Sequence, residues 1–114
     1  MYLVKWNEED GVLEASLGGH VTIGEAQVFT DSVINELTEY GGGPFTFVLD
    51  YSKASRLDDG VMEAFHVVQT YCKLRGAHRY VCVARNQDEI EFMTRLRLQQ
   101  VLEGEEEYQL AMAA

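Results

Sequence analysis

The stretch Phe45-Thr46-Phe47-Val48-Leu49-Asp50 decides the fold that the sequence predicts. It is an apolar run of β-branched and aromatic residues that closes on a carboxylate, which is typical of a strand buried within an α/β sheet. We therefore expect a central strand with Asp50 at its carboxyl end. Open α/β sheets usually bind their ligands at the edge formed by the carboxyl ends of the strands, so Asp50 marks a candidate position.

A second acidic cluster follows this strand. Leu57-Asp58-Asp59-Gly60 stands directly before a helical pattern that begins at Val61. The first N–H groups of a helix have no partner within the helix, and the helix dipole is positive there, so carboxylates are favoured. We expect Asp58 and Asp59 to lie at the same sheet edge as Asp50, with either of them as the N-cap of this helix.

The first half of the chain predicts a hairpin and a helix. Strands over residues 2–7 and 12–17 flank an Asp-Gly turn. Thr22 followed three residues later by Glu25 is a capping-box pattern that predicts a helix from Ile23. The Gly-Gly-Gly-Pro run at 41–44 ends this helix, since neither residue type continues one.

The second half alternates helices and strands. The helix from Val61 should stop at Gly76, a strand should cover 79–84, and a further helix should open at Asn86. Residues 105–113, which are rich in Glu, predict a short terminal helix. The fold class is therefore α/β, a single domain over residues 1–114 with a mixed sheet of four to five strands and about four helices.

Composition excludes several classes of protein. Of the 114 residues, 46% are hydrophobic and 25% are charged, as in ordinary globular domains. The net charge of −10 argues against binding to nucleic acid or to an anionic membrane, since phosphates would be repelled over most of the surface. The N-terminus shows no signal-peptide pattern, and no apolar run is long enough to cross a membrane, so we expect a cytoplasmic protein.

The charges are unevenly distributed along the chain. Residues 64–97 hold six bases against three acids, whereas residues 1–63 hold twelve acids against three bases. The basic stretch predicts either a docking surface for an acidic partner or a solvated face that offsets the acidity of the protein. The basic and acidic surfaces could also meet in a homodimer.

No catalytic constellation appears in the sequence, and we predict no enzyme activity, no cofactor and no resident metal. The three histidines fall outside any metalloprotease or hydrolase motif. Cys72 and Cys82 match no zinc or redox spacing and predict two buried, reduced thiols. The alternative is a small-ligand or divalent-metal-binding α/β domain in which Asp50, Asp58 and Asp59 would hold Mg²⁺.

Three stretches give the chain a resemblance to the STAS domain, the family named for sulfate transporters and anti-sigma factor antagonists. The segment from Leu17 to Thr22 resembles the strand and glycine that precede the family's first helix. The segment from Phe47 to Ser52 resembles its central strand and the Asp-x-Ser that follows. Leu57-Asp58-Asp59-Gly60-Val61 falls where the family has Asp-Ser-Ser-Gly-Leu. The order and spacing of these stretches cover nearly the whole chain.

The resemblance implies a bacterial regulatory domain that acts by protein–protein binding in a partner-switching signalling pathway that controls transcription. In the family, a serine-kinase-type anti-sigma factor phosphorylates a Ser or Thr of the Asp-Ser-Ser-Gly segment and thereby breaks the complex, and a phosphatase belongs to such a system. A phosphate adds nearly two negative charges and changes the complementarity of the docking edge. The resemblance therefore implies a protein partner of the kinase or phosphatase type.

This chain departs from the family at the phosphorylated position. Aligned on Gly60, the two serines of the family fall on Asp58 and Asp59, with Asp59 favoured by the register. A carboxylate cannot accept phosphate from a serine kinase, so three outcomes stay open. The domain is held in a state like the phosphorylated one, it is regulated at Ser52 or Ser55, or its partner is not a kinase.

The hydrophobic residues beside the acidic pair complete the predicted site. Met62 falls outside the apolar stripe of its helix and is the better candidate for contact with a partner. The predicted partner-binding residues are thus Asp58, Asp59, Gly60 and Met62.

Overall fold

The computed structural model of the chain describes residues 1–40, 43–97 and 105–110. A hairpin of β1 (Tyr2–Asn7) and β2 (Val12–Val21) leads into α1 (Ile23–Tyr40) and β3 (Phe45–Leu57). Then follow α2 (Val61–Leu74), β4 (Ala77–Ala84), α3 (Gln87–Arg97) and β5 (Glu105–Leu110). The predicted α/β class with a mixed sheet is confirmed, with five strands and three helices in the described residues.

The sheet has the strand order β1-β2-β3-β4-β5, in which only the β1–β2 pair is antiparallel. Each helix therefore connects two neighbouring parallel strands, and each new strand is added on the same side. Because such crossovers are right-handed, all three helices lie on one face of the sheet. The helices contact one another in the order α1, α2, α3, as a single layer requires.

The core lies between this helix layer and the sheet. Along β3, Phe45, Phe47, Leu49 and Tyr51 are fully buried, whereas the residues between them are partly exposed on the opposite face. From α1, the predicted stripe contributes Phe29, Val33 and Leu37, all of them buried. The predicted alternation and helical periodicity therefore both describe the core correctly.

Two sequence predictions fail in the strands. β3 continues seven residues beyond Asp50 to Leu57, so Asp50 lies in mid-strand and not at its carboxyl end. β2 similarly runs on to Val21, because Val21 pairs with Leu57 and the two strands extend each other. A polar residue on the open face of a half-covered sheet does not end a strand, which explains the error.

The predicted terminal helix is also wrong. Residues Glu105–Leu110 form β5, parallel to β4, with Arg79 opposite Glu105 and Ala84 opposite Leu110. Glutamates favour helices by intrinsic propensity, but β4 offers backbone groups at its free edge, and this pairing overrides the local preference. The last three residues of the predicted helix, 111–113, lie outside the described residues.

Candidate functional site

The carboxyl ends of β2 and β3 and the N-terminus of α2 meet at one edge of the sheet, which we call the upper edge. The N–H of Asp58 donates to the carbonyl of Val21 at 3.0 Å, and the carbonyl of Asp58 accepts from the N–H of Val61 at 3.1 Å. These two backbone bonds join the end of β2 to the start of α2. The prediction that Asp58 and Asp59 lie at a helix N-terminus is therefore confirmed.

Gly60, not an aspartate, is the N-cap of α2, so the predicted aspartate cap is wrong. No side chain caps the helix, and Gly60 has φ of 89° and ψ of −12°, a left-handed conformation that glycine adopts without strain. A Cβ at this position would lie 3.3 Å from Cδ1 of Ile23. The tight turn therefore selects glycine and leaves both aspartate side chains free to face other groups.

Asp58 belongs to a small ion-pair cluster. Nε2 of His20 donates to Oδ1 of Asp58 at 2.6 Å, and Nε of Arg56 lies 3.5 Å from the same oxygen. His20 and Arg56 are register partners across β2 and β3, so both strands reach this carboxylate. Sequence reasoning missed these two residues, because only the extension of the two strands beyond residues 17 and 50 brings them opposite each other.

Asp59 differs from its neighbour. Its side chain is exposed, and in the described part of the chain no hydrogen bond or ion pair engages its carboxylate. It lies close to the N-terminus of α2, the positive end of the helix dipole. Of the two adjacent acids, Asp58 is thus held locally, whereas Asp59 presents a free negative charge to the solvent.

A surface cavity of about 350 Å³ adjoins this charge. It lies where the loop before α2 faces the start of α3. Its lining includes Asp59, Met62, Glu63, Arg85 and Phe92. The cavity therefore combines a predominantly acidic rim with three apolar side chains, those of Leu57, Met62 and Phe92.

An ion pair between Arg85 and Glu89 lies at the N-terminus of α3, beside this cavity. Nη2 of Arg85 donates to Oε2 of Glu89 at 2.6 Å, and Nε donates to both carboxylate oxygens, at 3.1 and 3.2 Å. These hydrogen bonds to Glu89 raise the pKa of the Arg85 guanidinium. Arg85, which the sequence assigned to the basic surface, is only 24% exposed and is occupied by this partner.

The sequence predicted that Met62 lies outside the core-facing stripe of its helix, and the structure shows that this is only partly true. Its side chain is partly buried, packs against the hydrophobic core, and also lines the cavity. The face of α2 that contacts the core is wide enough to include residues beside the fully buried ones, which is usual for a helix that packs on a sheet. Met62 is therefore available to a partner over part of its surface only.

Asp50 and Ser52 form a separate local unit on the open face of the sheet. One carboxylate oxygen of Asp50 accepts from the N–H of Ser52 at 2.9 Å and from its hydroxyl at 2.6 Å. Asp50 stands opposite Ser16 and Val83 within the sheet, whereas Ser55 is an exposed residue further along β3. Neither serine lies at a helix N-terminus, where the resemblance places the phosphorylated residue.

The Mg²⁺ alternative required Asp50 to join Asp58 and Asp59, and the structure separates them. Seven residues of extended strand follow Asp50 before Asp58 is reached, at roughly 3.3 Å per residue. Asp50 lines a different surface concavity, beside Met1 and Lys53. Among the described residues, no three His, Cys, Asp or Glu side chains gather where they could hold a metal ion.

The two thiols are buried, as predicted, and neither forms a disulfide. Cys72 lies on α2 and Cys82 on β4, both fully covered by the core. Burial raises the pKa of Cys82 to about 12 and that of Cys72 as well. Thiols protonated in this way are poor nucleophiles, so both residues belong to the packing of the core.

Comparison with solved structures identifies the fold. The structure of the anti-sigma factor antagonist SpoIIAA in its unphosphorylated form is similar over 100% of this chain and 90% of that one, with a TM-score of 0.61 and 8% sequence identity. An uncharacterized protein from Shewanella loihica with a SpoIIAA-like fold is similar over 99% of this chain and 86% of that one, with a TM-score of 0.62 and 12% identity. The chain therefore has the SpoIIAA-like, or STAS, fold that the sequence resemblance implied.

Sequence comparison adds no relative to these structures. No protein-family model matches the chain, and no curated protein matches its sequence significantly. Among the described residues, none of the helices has both the length and the apolar character needed to cross a membrane.

Proposed function

We propose that this protein is a small non-catalytic regulatory domain that binds a partner protein through the upper edge. The observation that carries the proposal is the exposed carboxylate of Asp59 at the N-terminus of α2, which has no partner among the described residues and lies beside a cavity that Met62 helps to line. The SpoIIAA-like fold supports it, since SpoIIAA is an anti-sigma factor antagonist. The domain would act in the cytoplasm, in a partner-switching pathway that regulates transcription.

Asp59, rather than Asp58, would replace the phosphorylatable serine. The carboxylate of Asp58 is already engaged by a hydrogen bond with His20 at 2.6 Å and by the guanidinium of Arg56 at 3.5 Å, so it is less available to a partner. Asp59 has no such counter-charge among the described residues and stands one position closer to the helix N-cap. A fixed carboxylate supplies one negative charge where a phosphoserine would supply nearly two.

The partner that fits this edge is a serine-kinase-type anti-sigma factor or a phosphatase of the same system. Such a partner has to recognise a helix N-terminus that is negatively charged in one state and neutral in the other. Here the negative charge is permanent, so the native chain would behave as the phosphorylated state does, with weakened binding to the kinase-type partner and retained binding to the phosphatase. If the domain is also regulated by phosphorylation, Ser55 would be the better acceptor, because it is exposed and the hydroxyl of Ser52 is engaged by Asp50.

Affinity capture from a lysate of the source organism tests the proposal. The baits are the native chain, Asp59→Ser, and Asp31→Ser, a matched change at an exposed position on the outer side of α1. We expect a kinase-type or phosphatase-type regulator whose recovery from Asp59→Ser differs at least about 5-fold from its recovery from the native chain, because the change removes a charge from the interface.

The recovery of that regulator by Asp31→Ser should equal that of the native chain. Equal recovery by all three baits would remove Asp59 from the interface. If none of the three baits recovered a regulator, the signalling role itself would be contradicted. These two outcomes therefore separate an error in the site from an error in the function.

A further inference from the structure

A second cavity lies at the opposite end of the sheet, which we call the lower edge, where α1 ends and β2 and β3 begin. Its volume is about 390 Å³, within the range of small-molecule sites. The rings of Trp6 and Tyr40 stack in its wall, with centroids 4.3 Å apart and planes inclined by 23°. The edge of Phe45 supports Trp6 from the core at 5.6 Å, and the Tyr40 hydroxyl donates to the carbonyl of Pro44 at 3.3 Å. The aromatic wall is thus fixed in place.

Three carboxylates complete the lining of this cavity, from Glu8, Glu36 and Glu39. Within residues 1–40, 43–97 and 105–110, none of the three makes a hydrogen bond or an ion pair with a basic side chain. Glu36 and Glu39 also lie near the C-terminal end of α1, where the helix dipole is negative. The last turn of α1 contains no basic residue, and Arg75, at the C-terminus of the neighbouring α2, donates to the carbonyl of Leu37 at 3.3 Å.

We infer that this lower-edge cavity binds an alkylguanidinium group, a role independent of the proposed function at the upper edge. Three carboxylates beside a helix C-terminus attract a cation, and an aromatic wall favours one that is planar and weakly hydrated. A guanidinium satisfies both, because its forked N–H donors pair with carboxylates while its plane stacks on an aromatic ring. A quaternary ammonium has no N–H donor and would leave these carboxylates without hydrogen bonds.

Two sources carry this group, a free alkylguanidine or the arginine side chain of a peptide, and two probes distinguish them. Agmatine represents the free molecule, and N-acetylarginine amide represents the peptide. Trp6 is the single tryptophan of the chain, so its fluorescence reports on the cavity wall alone. We expect a saturable change in Trp6 emission with at least one probe, half complete at about 1 mM or below. Tighter binding of one probe assigns the source.

Matched variants locate the binding. Glu36→Gln and Glu39→Gln keep the shape of the side chain. Each should weaken the binding of agmatine at least about 5-fold, because each removes a charge-assisted contact. Glu63→Gln, the same change at the upper edge, should leave the affinity unchanged. Tetramethylammonium should bind at least about 5-fold more weakly than agmatine, since it cannot donate hydrogen bonds.

Two results would overturn the inference. One is the absence of a saturable emission change with either probe up to about 10 mM, far above the affinity expected for such a cavity. The other is an equal loss of affinity in Glu63→Gln and Glu36→Gln, which would mean that agmatine responds only to the net charge of the protein. Neither result bears on the partner proposed for the upper edge.

Discussion

The upper and lower edges of the sheet are both acidic, but they use their acids differently. At the upper edge, Asp58 is paired with His20 and Arg56, and Glu89 is paired with Arg85. At the lower edge, the carboxylates that line the cavity have no basic partner among the described residues. Charge composition therefore says little about an edge until its ion pairs are known.

The difference fits the distinct roles that we propose for the two edges. Paired acids at the upper edge fix the ends of β2, β3 and α3, and leave Asp59 as the exposed charge that a partner protein would meet. The acids that line the lower-edge cavity have no basic partner among the described residues, and like charges held near one another repel. A bound cation would offset this repulsion, in keeping with the ligand that we infer for the cavity.

The largest effect that we expect on stability comes from the glycines, one at each edge. Gly76, before β4, has φ of 113°, and a Cβ there would lie 2.9 Å from the carbonyl oxygen of Gly43. Because backbone cannot move aside as a side chain can, Gly76→Ala should lower the free energy of unfolding by about 3 kcal/mol. In Gly60→Ala the new Cβ would contact only the flexible end of the Ile23 side chain, so the free energy of unfolding should fall by about 1 kcal/mol. Urea denaturation measures both, and equal losses would contradict this ranking.

The next effect concerns the Arg85–Glu89 ion pair of the upper edge. Arg85→Met leaves the carboxylate of Glu89, only 12% exposed, without its partner, and should cost about 2 kcal/mol. Arg95→Met makes the same chemical change at an exposed position of α3 and should cost less than about 0.5 kcal/mol. If chemical denaturation gave both variants the same stability, the pair would have no structural role.

A smaller effect is expected from the His20–Asp58 pair, which is more exposed. A double-mutant cycle with His20→Gln and Asp58→Asn should give a coupling free energy of about 0.5 kcal/mol at low salt, because water screens the pair. The coupling should fall further in 1 M NaCl. A coupling as large as the loss expected for Arg85→Met would show that Asp58 is more strongly held than its exposure indicates.

The smallest expected effect is the pH response of His66, on the outer side of α2 between the two edges. Burial, and then the nearby charge of Lys73, lowers the pKa of His66, although a hydrogen bond with Gln69 opposes them. The unfolded chain therefore binds the proton more tightly, and stability should fall as the pH drops through about 6.5. His66→Gln should reduce this fall in urea titrations, whereas His78→Gln, at an exposed position, should not. An unchanged slope in both variants would contradict the sign of the shift.

The sequence predicted the fold because its signals are local and agree with one another. The capping pattern of Thr22 places the start of α1, and its side chain does accept from the N–H of Glu25 at 3.1 Å. The apolar alternation from Phe45 likewise places the central strand. Asn86 also caps α3 as predicted, accepting from the N–H of Glu89 at 3.0 Å. These signals depend on neighbours within a few residues.

What the sequence did not predict depends on pairing between distant segments. The extension of β3 to Leu57 and of β2 to Val21 requires each strand to have the other as partner. That extension creates the cluster around Asp58 and moves Asp50 away from it. The same holds for β5. Its glutamates favour a helix by local propensity, but pairing with the edge of β4 makes the segment a strand. The stacking of Trp6 on Tyr40 joins residues 34 positions apart, and no local pattern signals it.

Site-specific photo-crosslinking in the source organism tests the central claim most directly, that a protein partner docks on the upper edge. A photoreactive phenylalanine derivative at position 63, in the rim of the upper cavity, is compared with the same residue at position 39, in the rim of the lower one. Both positions hold exposed glutamates, so the two substitutions are matched. We predict a discrete protein adduct from position 63, with a protein other than any that position 39 captures. An adduct from position 39 alone would contradict the account.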